Sequence, residues 1–345
     1  MNSVNTFVRG TREAREKIEA QTLAPGAARS AGAGDRAHPE EPDPYRTAFE
    51  RDRDRILHSK AFRRLKHKTQ VFLNPSGDHY VTRMTHALQV TQVARALARG
   101  LSLNEPLAEA IALGHDVGHT PFGHTGEDAL EPYFDNGWHH AAQGVRIFEV
   151  LEQANLTFQV RDGIRAHTWK INPPPETPEA FCVRYADRIA YLSHDALDAI
   201  RAGIITASDF PAATKPAFGE PGTEWIGRMI EGVIEHSLAT GELAMDPDML
   251  AAMHEVRAFM FKNVYMGDEN ARRRDGAIAV IRHLMDHYLA DPGQIPATYR
   301  DNDAATVVQV ADYVAGMTDR YALAMHDQLF RPRLFDVPPR PGDAS

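Results

Sequence analysis

Three histidines and two carboxylates stand close together between His115 and Glu127: His115, Asp116, His119, His124 and Glu127. Imidazole nitrogen and carboxylate oxygen together form a donor set that suits a divalent cation. His124 and Glu127 are three residues apart, so they can touch on one helical turn. A histidine polarised by a carboxylate is a proton-transfer pair. Gly118, Pro121, Gly123 and Gly126 lie between and beside these residues, and they let the backbone approach a ligand closely. Upstream, His86 shares the spacing of Val90, Val93 and Leu97, one apolar helical face. Downstream, Asp187 is flanked by Val183 and Ala190, and a buried aspartate is costly unless paired or cation-bound. Asp187, Tyr191 and Asp195 recur at i, i+4 and i+8, with His194 and Asp198 nearby. That is a polar stripe where a buried helix would carry Leu or Val, and it reads as a pocket wall. Each residue alone has an ordinary reading, as a hydrogen-bonded core histidine, a surface Asp–Arg pair or a chance His-Asp dipeptide such as His194-Asp195. The metal reading rests on three helices each placing an ionisable group on an otherwise apolar face.

The elements that must position these groups are helical. The first is a charged helix within residues 1–20, followed by an Ala-, Gly- and Pro-rich arm over 22–46 with no apolar period. A helix from residue 82 carries His86 and stops at Gly100. The next begins at Asn104 as N-cap, with Pro106 in its first turn, and runs to His115-Asp116, ending at Gly118. Further helices are predicted over 139–153, 157–169 and 179–202, and at least four more over 222–330, including 306–330. β-Alternation is missing. The expected architecture is all-α: a single helical domain over 47–330, with a core over about 78–202 and a C-terminal helical part over about 222–330. A 1–46 arm precedes it and a 331–345 tail follows.

Composition fits that reading. The chain has 345 residues, 43% hydrophobic and 25% charged, enough to bury a large core. Net charge is -9 and pI about 6.0, so bulk charge does not make it a nucleic-acid coat. Residues 51–68 are the exception, with eight Lys or Arg against two Asp. This island reads as a solvated helix face, an anion site or a subunit contact, and it keeps nucleic acid as a weak candidate partner. One cysteine, Cys182, excludes an intramolecular disulfide and a cysteine zinc cluster. With no apolar signal region and no run approaching the ~20 apolar residues of a membrane span, a cytoplasmic protein without a membrane partner is expected.

The motifs also resemble a known family. Residues 51–72, Arg-Asp-Arg-Asp-Arg-Ile-Leu-His-Ser-Lys-Ala-Phe-Arg-Arg-Leu-Lys-His-Lys-Thr-Gln-Val-Phe, are similar to the opening signature of bacterial dGTPase-like proteins. Gly77-Asp78-His79-Tyr80 and Arg83-Met84-Thr85-His86 continue it. His115 to His124 resembles the HD signature in this family's form. Tyr185 to Asp195 resembles its second acidic motif, and Tyr313 to Arg320 its C-terminal helix. The chain therefore resembles the deoxynucleoside triphosphate triphosphohydrolases of the HD-domain metal-dependent phosphohydrolases, over roughly residues 10–330.

That resemblance implies a helical HD bundle with additional C-terminal helices. It also implies hydrolysis of a dNTP to deoxynucleoside and tripolyphosphate. The implied metal ligands are His86, His115, Asp116 and Asp187, around Mn²⁺, Mg²⁺ or another transition metal. The implied catalytic groups are His124, Glu127 and His140. Arg83, His119, Arg188 and Tyr191 would contact phosphate, and Gln70 and Asp195 the deoxyribose, with Val71 as an apolar wall. The implied partners are a dNTP substrate, a second dNTP as allosteric activator and further copies in a homo-oligomer. Two features depart from the family: only 47 residues separate His140 from Asp187, and Ala141 stands where Asn is expected. The rival readings are another HD-type nucleotide phosphohydrolase and a nucleotide-sensing regulator without turnover.

Overall fold

The computed structural model describes residues 7–70, 81–265 and 268–331. The expected Gly77–Tyr80 motif, Val71 and the 332–345 part of the tail lie outside these. Among the described residues there are sixteen α-helices and no strand, so the chain is all-α as the sequence predicts; one isolated bridge joins Thr69 to Thr82.

The N-terminal helix α1 (Arg12–Thr22) leads through the arm to α2 (Ala48–His58) and α3 (Lys60–Arg64). Then come α4 (Arg83–Gly100), α5 (Glu105–Gly114), α6 (His124–Leu130), α7 (His140–Arg146), α8 (Phe158–Arg165) and α9 (Pro178–Arg201). The C-terminal part comprises α10 (Thr214–Phe218), α11 (Thr223–Thr240), α12 (Pro247–Met260), α13 (Asp268–Ala290), α14 (Ala297–Arg300), α15 (Thr306–Ala315) and α16 (Asp319–Phe330).

Local chemistry explains the starts. Thr82 caps α4 by accepting from Thr85 N, Asn104 caps α5 by accepting from Leu107 N, and Thr177 caps α9 ahead of Pro178. The apolar stripe of α4 buries His86, Val90, Val93, Ala94 and Leu97 together, and α4 packs against both α5 and α9. These three helices are the frame of the site.

Two apolar cores are present. The larger runs from Ala27 to Val264 through α2, α4, α5, α8, α9, α11 and α12. The smaller joins Phe122, Ala129 and Leu130 to residues of α13, α15 and α16. The turn that carries His119 to His124 therefore lies at the seam between the cores.

Several predicted boundaries differ. Helix α5 ends at Gly114, so His115–Gly118 form a turn rather than the last helical residues. The 157–169 helix stops at Arg165 and leaves His167 and Trp169 in the following connection. The 306–330 stretch is two helices, because Gly316 follows α15 and Thr318 caps α16 by accepting from Tyr321 N. Part of the basic island is tied into the fold, while Lys60, Arg63 and Lys66 are exposed. Arg51 and Arg55 pair with Glu40 of the arm, Arg53 pairs with Glu109, Arg64 donates to Gly316 O, and Lys68 donates to Ala315 O. No helix among the described residues is long and apolar enough to cross a membrane.

Candidate active site and metal centre

His86 from α4, Asp187 from α9 and His115 just past α5 converge on one point. His86 Nε2 lies 3.1 Å from Asp187 Oδ1, and His115 Nε2 lies 3.8 Å from the same oxygen. Their ligand atoms all fall within 4.8 Å of one another, a group able to hold a cation. His115 is fully buried, and its Nδ1 sits 2.6 Å from Ala112 O. That contact places the proton on Nδ1 and leaves Nε2 as a lone pair. Nε2 has no hydrogen-bond partner, although it faces Asp187 and stands 3.5 Å from Asp116 Oδ1. A buried, unpartnered acceptor between two carboxylates is costly unless a cation is present, so these residues fit a metal.

Asp116 turns its two oxygens to different neighbours. Oδ2 accepts from Arg83 Nη1 at 2.8 Å, and Oδ1 lies 3.1 Å from His119 Nε2. Burial opposes ionisation of Asp116, but the charge of Arg83, first among its neighbours, acts against it, and the carboxyl is held well below its ordinary range. Asp187 follows the same pattern: burial is outweighed, first by the hydrogen bond with His86, and the carboxyl stays ionised.

His119 joins this group to a second one. Its other nitrogen, Nδ1, is 2.9 Å from Glu127 Oε1. The same oxygen lies 2.8 Å from His140 Nδ1 and 3.2 Å from His124 Nδ1. The sequence pairs Glu127 with His124 alone; in the structure one carboxylate gathers three imidazoles. His119 and His140 stack with ring centres 3.8 Å apart. Burial pushes His119 down to about 3 and His140 down to about 4, so both are neutral at neutral pH. His124 is different, with 77% of its side chain exposed. Gly118 permits the close packing, because a Cβ there would stand 2.0 Å from His140 O and 2.4 Å from Gly144 N.

These groups open onto one cavity of about 650 Å³, within the range of small-molecule sites. Twelve of the thirteen candidate residues line it: Gln70, Arg83, His86, Asp116, His119, His124, Glu127, His140, Asp187, Arg188, Tyr191 and Asp195. His115 lies behind them. Asp187, Arg188, Tyr191 and Asp195 descend α9 as one wall, as their spacing predicts. The Arg188 guanidinium lies over the Trp169 ring, 3.9 Å from its centre, with Nη1 buried and without a partner. Gln70 Oε1 is likewise buried and unpartnered. Asp195 is not: Tyr265 Oη donates to its Oδ2 at 2.7 Å, and burial pushes its carboxyl up to about 7.

Among the lining residues that sequence reasoning missed, four carry groups that bear on the chemistry. His167 Nε2 lies 3.1 Å from His140 Nε2, and its ring centre is 5.0 Å from that of His115. Trp169, Arg257 and Tyr265 also line the cavity. None carries a local motif. The one available signal was the His167-Thr168-Trp169 cluster ahead of Pro173–Pro175.

Comparison with known proteins agrees with the fold. Residues 83–192 match the HD domain family, and residues 243–328 match the phosphohydrolase-associated domain. The fold and the paired His and Asp groups thus define an HD-type phosphohydrolase. A protein from Caldanaerobacter subterraneus subsp. tengcongensis is 44% identical, with 93% of this chain and 96% of its own covered. One from Desulfatibacillum aliphaticivorans is 43% identical over 93% and 98%, and one from Clostridium tetani is 37% identical over 92% and 96%. All three are named deoxyguanosinetriphosphate triphosphohydrolase-like protein. The chain belongs to this deoxyguanosinetriphosphate triphosphohydrolase-like family.

Proposed function

We propose that the protein hydrolyses deoxynucleoside triphosphates to deoxynucleoside and tripolyphosphate. The observation that carries this reading is the joining of two groups through His119: a His/Asp cluster fit for a cation, and Glu127 with three histidines. The name that the relatives share supports the substrate class.

In this reading His86, His115, Asp116 and Asp187 hold a divalent cation, Mn²⁺ or Mg²⁺. Bound there, it would draw charge from the α-phosphate and acidify nearby water. The chain's own residues supply the rest. Arg83, Arg188 and Arg257 meet phosphate charge, and the Trp169 ring beneath the Arg188 guanidinium supports it. Water attacks the α-phosphorus as the bond to the 5′-oxygen breaks, and that oxygen needs a proton. Burial keeps His119 and His140 neutral, so His124, solvent-reachable and held by Glu127, delivers it and is reloaded from water. The remaining proton of the attacking water passes to solvent, leaving tripolyphosphate. Glu127 is held well below its ordinary range despite its burial, and its Oε1, 3.2 Å from His124 Nδ1, orients that imidazole.

Gln70 and Asp195 hold the deoxyribose. Asp195 stands two helical turns from Asp187 on α9, so a sugar bound there is adjacent to an α-phosphate at the metal group. Tyr265 fills one side of Asp195. This crowding favours a sugar without a 2′-hydroxyl.

Incubation with each dNTP and rNTP, singly and in pairs, with Mn²⁺ or Mg²⁺ tests the reading by product separation. Deoxynucleoside and tripolyphosphate from dNTPs, with rNTPs turned over more slowly, are expected. Release of pyrophosphate or orthophosphate instead, or no turnover under any pairing, would overturn it.

A further inference from the structure

The second core supplies a buried carboxylate that the reaction above does not use. Asp319 opens α16 and is 4% exposed. Its Oδ2 accepts from Thr69 N at 3.0 Å and from Thr69 Oγ1 at 2.7 Å. Its Oδ1 accepts from Phe122 N at 3.0 Å. One side chain thus binds two segments distant from it and from each other in sequence. Both lead directly into the cavity: Thr69 precedes Gln70, and Phe122 precedes Gly123 and His124.

The second segment needs holding. Phe122 has φ 63° and Gly123 φ 58°, and Phe122 is a bulky residue in the left-handed region. A Cβ at Gly123 would stand 2.4 Å from Arg83 Nη2, so the turn is pressed against the arginine that binds Asp116. Lys68 repeats the pattern from the other side. Its buried amine donates to Ala315 O at 3.0 Å and to His119 O, tying the turn to the end of α15.

Docking alone does not call for these bonds. Phe122, Ala129 and Leu130 already pack into the C-terminal core, and a buried carboxylate is expensive to desolvate. What directional bonds add is fixed geometry.

We propose that Asp319 is a positioning residue, through which the C-terminal helices set the Gln70 segment and the Phe122–His124 turn against each other. The catalytic wall is then complete only with α15 and α16 docked. The sugar and proton-transfer roles of Gln70 and His124 rest on the function proposed above; the positioning itself does not.

Asp319→Ala, Asp319→Asn and Thr69→Val in the full chain test it by two independent measurements. The first is amide hydrogen exchange at Thr69 and Phe122, with α9 as internal reference. Exchange there should rise by about tenfold or more in both Asp319 variants while α9 stays protected. Thr69→Val should disturb Thr69 and spare Phe122. The second is steady-state kinetics on the best dNTP. With metal content unchanged, kcat should fall about tenfold or more in the Asp319 variants, KM should move little, and dNTP-over-rNTP preference should shrink. Asp319→Asn keeps the residue's size and answers the question if the alanine variant does not fold. A lower melting temperature with wild-type exchange at Phe122, or with wild-type kcat, would overturn the proposal. A wild type inactive on every dNTP would sink the proposed function alone, and exchange would still decide the positioning.

Discussion

At Glu127 three imidazole nitrogens converge on one oxygen, from His140 at 2.8 Å, His119 at 2.9 Å and His124 at 3.2 Å. Their differing exposure, rather than their common partner, separates their proposed roles. Two are buried and held neutral; the third faces solvent. His124→Ala should therefore keep metal and dNTP binding while turnover falls about 10²–10⁴-fold. Equilibrium binding and single-turnover rates check this, and loss of binding together with turnover would make His124 a binding residue. The metal group gives a second prediction at this scale. Asp187→Ala should lose bound cation by elemental analysis. Wild-type protein should gain about 2.7 kcal/mol of stability at a cation concentration one hundred times Kd, and the variant should gain none. Full cation occupancy in the variant would contradict the ligand assignment.

Helix α9 shows how one element serves both fold and site. Its middle carries the cavity wall, while its first turn carries Glu179, whose Oε1 accepts from Ala28 N and Asn104 N. Glu179 thus fastens the arm and the cap of α5 to α9. Burial pushes its carboxyl from 4.5 up to about 7. The folded state then binds more protons than the unfolded state between those values, so this contribution is fully present below about pH 4.5 and is lost as pH rises through 7. At about 1.4 kcal/mol per unit, the loss is on the order of 3 kcal/mol at most. Glu179→Gln keeps the accepting oxygen and removes the titration. Its melting temperature, compared with wild type across pH 4.5 to 8, should fall less as pH rises. Parallel pH profiles would count against the assignment. Helix α4 was legible in sequence from the apolar stripe of Val90, Val93 and Leu97, and α5 from Ala108 and Ile111 behind the Asn104 cap. The break between α15 and α16 was also written there, in Gly316 and Thr318, but the apolar period continues across it and hides it.

At the scale of the molecule, the site is built from segments far apart in sequence. The inward side of His86 on α4 and the polar wall on α9 were readable, since each depends on the period of one helix, whereas the meeting of His86, His115 and Asp187 crosses three segments. His167, Trp169 and Tyr265 were not readable, because only tertiary packing brings His167 to His140, Trp169 beneath Arg188 and Tyr265 to Asp195. The same holds for Asp319, whose three bonds cross to Thr69 and Phe122. In the basic island, part of the local charge fastens the arm and the C-terminal helices to the core, pairings that its local sequence does not show. The central claim is attack by water at the α-phosphorus of a dNTP. Turnover in ¹⁸O-labelled water, with both products analysed by mass, tests it most directly. The account predicts one ¹⁸O in the tripolyphosphate and an unlabelled deoxynucleoside. Label in the deoxynucleoside, or its appearance in a nucleoside monophosphate, pyrophosphate or orthophosphate as first product, would contradict it.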